Sequence, residues 1–150
     1  MINITEYPKL HKLKQTNANV SIPAGWYALV EELLQTIDSI VKDYGLPKIN
    51  YLQIKQKFTS LRVYFSYDRN EQPYVSTPFK QEGLDMINDL VDLYEGFSIK
   101  TCTLTGKPGK QVNIGGFYTV LHESLFKVNK KNEQRYTAKG KALNEKLRGF

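Results

Sequence analysis

The sequence predicts a single α+β domain in which two amphipathic helices pack on an antiparallel sheet of about four to five strands. Three observations predict it. Apolar side chains spaced by three and four run from Trp26 to Tyr44, and a second such stripe runs from Leu84 to Tyr94. Between them, residues 52–67 alternate apolar and polar side chains as a hairpin does. With 150 residues and 41% hydrophobic content, the chain is long enough to bury one core without disulfides or metals.

In chain order, residues 1–22 have weak periodicity. The cluster Lys9, His11, Lys12 and Lys14, followed by Thr16 to Asn19, predicts an extended N-terminal arm ending in a turn. The domain proper is expected over 23–126. Pro23 suits a first helical turn and Gly45 suits the left-handed residue that closes a helix, so the first helix is expected from about 23 to 44. Its buried stripe is Trp26, Leu29, Val30, Leu33, Leu34, Ile37, Ile40, Val41 and Tyr44, with Glu31, Glu32, Gln35, Asp38 and Lys42 on the wet side.

In the hairpin, a two-residue turn at Thr59-Ser60 sets Phe58 opposite Leu61, Lys57 opposite Arg62, Lys55 opposite Tyr64, Ile54 opposite Phe65 and Leu52 opposite Tyr67. One face is then apolar and the other cationic. Asp68 to Pro73 reads as a turn, Tyr74 to Ser76 as a short extended piece, and Thr77-Pro78 as the cap and first turn of the second helix. That helix buries Leu84, Ile87, Leu90, Val91 and Tyr94, carries an acidic row of Asp85, Asp89, Asp92 and Glu95, and is expected to end at Gly96. The row reads as an ordinary solvated face that can also neutralise the hairpin's cations. Residues 97–104 alternate as a strand, 105–109 turn and 111–114 return, which makes a second hairpin; Gly115-Gly116 then lead to 117–122, strand-like through Val120.

The net charge of +6 sits entirely in residues 127–150, where eight basic side chains face Glu133 and Glu145. This segment is expected to be an appendage, with a short helix capped at Thr137 and a candidate contact for a homo-oligomer. Lys130, Lys131, Arg135, Lys139 and Lys141 are its candidate nucleic-acid contacts. The single cysteine, Cys102, forms no intramolecular disulfide, no signal-like segment opens the chain, and no apolar run reaches the roughly 20 residues of a membrane helix. A soluble, cytoplasmic protein is expected.

Gly25-Trp26, then Gln53-x-Lys55-x-Lys57-Phe58-x-x-Leu61-Arg62-x-Tyr64, then Cys102-x-x-Thr105-Gly106-x-Pro108-Gly109, then Gly116-Phe117-Tyr118 and His122, resemble a family of small uncharacterised proteins of bacteria, prophages and phages. The resemblance spans residues 25–122. Family members carry a second cysteine where Thr105 stands, and their closing cysteines look like a zinc knuckle. Two candidate ligands, Cys102 and His122, remain here where a structural zinc takes four, so no metal and no cofactor is expected. Cys102 then reads as a buried small hydrophobe and His122 as a hydrogen-bonded or surface imidazole.

No spacing of His11, His122 and Cys102 recommends a catalytic triad, and Gly106-Lys-Pro-Gly109 is too short for a phosphate loop, so a binding protein is expected rather than an enzyme. Like charges facing each other across a hairpin call for an acid or a bound anion. Lys55, Lys57, Arg62 and Tyr64, with Trp26 and Tyr27, therefore form a candidate site for a phosphorylated, nucleotide-like ligand, whose phosphates take the cations and whose base stacks on a ring. The resemblance implies a protein that captures such an anion or blocks a host protein, as a counter-defence factor does. Nucleic-acid binding through the basic tail is the alternative.

Overall fold

A computed structural model describes residues 2–16, 18–68 and 77–147. The turn and extended piece expected over 69–76 lie outside the described residues. Among those described, the chain forms four α-helices and two separate sheets, so the expected single sheet is divided. The first sheet has strands β1 (Asn19–Ser21), β2 (Ile49–Lys57) and β3 (Ser60–Tyr67), in that order, with β1 parallel and β3 antiparallel to β2. The second has β4 (Lys110–Ile114), β5 (Phe117–Leu121), β6 (Phe126–Val128) and β7 (Gln134–Tyr136), in spatial order β5-β4-β7-β6.

The N-terminal segment is not an extended arm. It folds into helix α1 (Pro8–Gln15), whose Leu10 is fully buried against helix α2 (Tyr27–Tyr44). The reason lies in a residue expected on the wet side. Glu31 of α2 is buried, and its carboxylate accepts the Lys9 amide at 2.7 Å and the Leu10 amide at 3.1 Å. Those amides belong to the first turn of α1, where backbone donors have no partner within the helix. One carboxylate therefore both caps α1 and docks it.

Helix α2 ends as expected, with Gly45 in the left-handed region at φ 61°. Helix α3 (Pro78–Ser98) begins as expected, with Thr77 Oγ1 accepting the Lys80 amide at 3.2 Å. It runs through Gly96 and stops at Ser98, so residues 97–104 are not a strand. They form the last helical turn and an irregular segment that carries one isolated bridge, Thr101 to Pro108. The hairpin expected about the 105–109 turn therefore does not form; the second hairpin is β4–β5, turning at Gly115-Gly116.

The first hairpin keeps the expected faces, but its turn moves by one residue and its pairing by two. The pairs are Lys57 with Ser60, Gln56 with Leu61, Lys55 with Arg62, Ile54 with Val63 and Gln53 with Tyr64. The turn residues are Phe58 and Thr59 rather than Thr59 and Ser60. Phe58 takes φ 59°, a conformation that turns usually reserve for Gly or Asn, and stands almost wholly in solvent. Thr59 is buried instead, and its hydroxyl accepts a hydrogen bond from Gln111 Nε2 of β4. The polar pair Thr59-Ser60 is split by a contact distant in sequence. Leu52 sits in a bulge between Tyr51 and Gln53 and is exposed, which lets both Tyr51 and Ile54 face the core.

Two apolar cores result. The larger joins Leu10, the α2 stripe, Ile54, Leu61 and Val63 to Ile87, Val91 and Tyr94 of α3. The smaller holds Cys102, Leu104, Val112, Leu121 and Leu125, covered by Leu143 and Leu147 of helix α4 (Ala138–Leu147). Residues 127–147 are thus part of the fold, not an appendage. Thr137 caps α4 as expected, its hydroxyl accepting the Gly140 amide at 3.1 Å.

Removing the Glu31 carboxylate leaves two buried helix amides without an acceptor. Glu31→Ala is expected to cost about 2 kcal/mol in urea unfolding and to speed hydrogen exchange first at Lys9 and Leu10.

Candidate functional site

The site is built by the alternation of β2 and β3, which turns Ile54, Leu61 and Val63 to the core and Lys55, Arg62 and Tyr64 to the opposite face. The parallel strand β1 completes that face. Its register places Ser21 beside Lys55 and Asn19 beside Gln53. Two rows therefore cross the sheet: Ser21, Lys55 and Arg62 in one, Asn19, Gln53 and Tyr64 in the next. Lys57 lies one pair along, next to the turn.

The first row collects a hydroxyl, an ammonium and a guanidinium. Lys55 and Arg62 are directly opposite, a closer approach of like charges than the expected pairing of Lys57 with Arg62 leaves for Lys55. Neither joins an ion pair among the described residues, where the pairs are Lys9 with Asp38 and Arg135 with Glu133. The acid that Arg62 feels is Glu95, from the end of α3. Burial pushes the Glu95 carboxyl up, Arg62 pulls it back down, and Asp92 adds to the rise. Of the acidic row on α3, Glu95 thus lies within electrostatic reach of Arg62, without forming an ion pair with it. The Lys55 ammonium lies 5.8 Å from the centre of the Tyr64 ring, and Tyr64 is 43% exposed.

Two residues expected in this site are elsewhere. Trp26 is fully buried, and its indole Nε1 donates to the Thr101 carbonyl at 3.0 Å. Tyr27 is half-buried in the helix layer, edge-on to Tyr7 at 5.9 Å between ring centres, and burial pushes its phenol up. The aromatic surface beside the cations is Tyr64 alone among the candidates. Asn19, Ser21 and Gln53 are the additions that sequence reasoning missed, because β1 pairs with a strand more than thirty residues away.

The tail candidates are spread over two elements. Lys130 and Lys131 lie in the turn between β6 and β7, Arg135 on β7 is paired with Glu133 at 3.0 Å, and Lys139 and Lys141 are on α4. The hydrogen bond from the Asn129 amide, with the Arg135 ion pair, draws the Glu133 carboxyl below its ordinary value. At the degenerate knuckle, Cys102 is buried in the second core as expected. Thr105 Oγ1 accepts the Lys107 amide at 3.2 Å, and His122 Nδ1 accepts the Ser124 amide at 3.3 Å. Among the described residues, no three His, Cys, Asp or Glu side chains come together in a way that could hold a metal ion.

A groove of about 950 Å³ opens at the end of the same sheet, where α1 crosses the start of β2. Its polar rim includes Lys9, Lys12, Lys48 and Asp38, and Tyr51 lines its wall. The Tyr51 hydroxyl is buried without a hydrogen-bond partner, and its phenol is raised well above the ordinary value by burial, by Asp38 and by Tyr67.

No protein-family model, curated protein or solved structure matches this chain. Among the described residues, no helix is long and apolar enough to cross a membrane.

An unpaired buried hydroxyl is a liability that phenylalanine removes without changing shape. Tyr51→Phe is expected to stabilise the protein by about 1 kcal/mol at neutral pH in urea titrations. The unfolded phenol ionises near pH 10.0 while the folded one resists, so the wild type loses stability as pH rises past that value. Tyr51→Phe blunts the decline.

Proposed function

We propose that the protein is a binding protein that captures a phosphorylated, nucleotide-like anion on the open face of its three-stranded sheet. One observation carries the reading: Lys55 and Arg62 face each other across the hairpin without an ion pair among the described residues. Such a pair costs stability in the empty protein and is relieved by an anion that bridges the two cations. The neighbouring row suits the remainder of a nucleotide, since Asn19 and Gln53 offer amide donors and acceptors and Tyr64 offers an exposed ring. A capture role inside a cell that hosts a phage or mobile element draws its support from the sequence resemblance alone.

The basic tail is the source of the whole net charge, which supports nucleic-acid binding as the second reading. Because residues 127–147 complete the second core, that reading is tested by charge changes at Lys130, Lys131, Lys139 and Lys141 rather than by truncation.

Titration calorimetry against a panel of nucleoside mono-, di- and triphosphates, with pyrophosphate as competitor, tests the first reading. Lys55→Glu and Arg62→Glu should each weaken the best ligand at least about tenfold while leaving the circular dichroism spectrum unchanged. Tyr64→Ala should weaken the nucleotide but not pyrophosphate. Unchanged affinity in both charge-reversal variants, or no binding across the panel, overturns the proposal.

A further inference from the structure

Helix α3 carries an apolar stripe that the fold covers only in part, the Phe79 ring stacking on Tyr44 at 4.5 Å between centres and Phe97 standing edge-on to Tyr94 at 5.3 Å, with their outer edges left exposed. Its buried side presents Ile87, Val91 and Tyr94 to the main core. On the adjoining side stand Phe79 (56% exposed), Met86 (40%), Leu93 (51%) and Phe97 (42%). With Gly83 and Leu90 these residues fall at 79, 83, 86, 90, 93 and 97, alternating steps of four and three. That is the a/d pattern of a coiled-coil seam, in which Gly83, Leu90 and Phe97 take a and Phe79, Met86 and Leu93 take d. Gly83 and Leu90 form its inner border, the first against the Tyr44 ring and the second against the core. The outer members face solvent over roughly 27 Å of helix, at about 1.5 Å per residue. Four large apolar side chains in one continuous line differ from the scattered exposure of an ordinary surface.

The charge beside the seam selects the occupant. Glu82 and Asp89 repeat at seven residues in the flanking g position, and Asp85 and Asp92 lie beyond them, all four exposed. A second copy of the chain, packed antiparallel by twofold symmetry, would set the Glu82 and Asp89 flank against its own image, an unfavourable meeting of like charges. The two basic helices of this chain are already used, since Leu10 and Leu13 of α1 and Leu143 and Leu147 of α4 pack against the cores. We infer that the exposed face of α3 is a docking surface for a basic amphipathic helix of a partner protein, which lays its apolar stripe along Phe79, Met86, Leu93 and Phe97 and sets Lys or Arg against Glu82 and Asp89.

The test uses a fluorescent synthetic peptide of three heptads, with Leu at a and d and Lys or Arg at the flanking positions, titrated with the full chain by anisotropy. A scrambled peptide of the same composition and a Glu-flanked version are the controls. The basic peptide should bind, the scrambled one should bind at least about tenfold more weakly, and Leu93→Asp or Met86→Lys should cost a similar factor. The double change Glu82→Lys, Asp89→Lys should reverse the preference between the Lys- and Glu-flanked peptides. Equal binding of the scrambled peptide, or affinity unmoved by both Leu93→Asp and Met86→Lys in folded protein, overturns the inference. So does sedimentation showing a dimer that Leu93→Asp dissociates, which assigns the seam to a second copy.

Discussion

The segment from Ser98 to Thr103 is the point on which both sheets hang. Ser98 Oγ accepts the Leu61 amide at 2.8 Å, the Thr101 carbonyl takes the Trp26 indole, and the Thr103 carbonyl accepts the Gly25 amide at 2.9 Å. On its other side the Thr103 amide donates to Val120 at 2.9 Å, and its hydroxyl meets that of Thr119 in a buried pair 3.0 Å apart. The helix end at Ser98 and the five irregular residues after it therefore tie the edge of β3 and the entrance of α2 to β5. The approach is close enough to demand glycine, because a Cβ on Gly25 would lie 2.2 Å from the Cys102 carbonyl oxygen. A backbone buried this deeply must satisfy its polar groups, and here it does so by joining two cores.

This arrangement joins stretches that are far apart in the sequence. Gly25-Trp26 and the Cys102 to Gly109 turn are some 75 residues apart, yet Gly106, at φ 77°, brings its α-carbon side against the Gly25 carbonyl. The same segment, through Ser98 and Leu61, holds the free edge of β3 immediately beside Arg62. The cationic face is thus mounted on a strand pinned at both edges, by β2 and by the end of α3. The outward side chains of that face take no part in the pinning, which is done through the backbone.

What was legible in the sequence followed local rules. The body of α2 and its Gly45 stop, the Thr77-Pro78 start of α3, the Thr137 cap of α4 and the two-faced hairpin all rest on neighbours within a few residues, although α2 opens at Tyr27 rather than near Pro23, after a 3-10 turn over Ala24–Trp26. What was not legible depended on distant partners. Helix α1 is mostly polar and is held by Glu31, twenty-one residues from Leu10. The hairpin turn moved by one residue, and its pairing by two, because Gln111 claims Thr59. Residues 97–104 alternate like a strand, yet Ser98, Cys102, Thr103 and Leu104 are buried for three different reasons: a helix end, a core and a hydroxyl pair. Of the candidate site, Lys55, Arg62 and Tyr64 were readable from alternation, whereas the β1 side chains and the burial of Trp26 were not.

Through this segment the two sheets form one cooperative body, and amide-resolved native-state hydrogen exchange tests that most directly. The amides of Gly25, Leu61 and Thr103 should exchange only with global unfolding, at the same free energy as Val30 in the main core and Val112 in the smaller one. A lower-energy opening that releases Thr103 and the strands from Lys110 onward, while α2 stays protected, would contradict it.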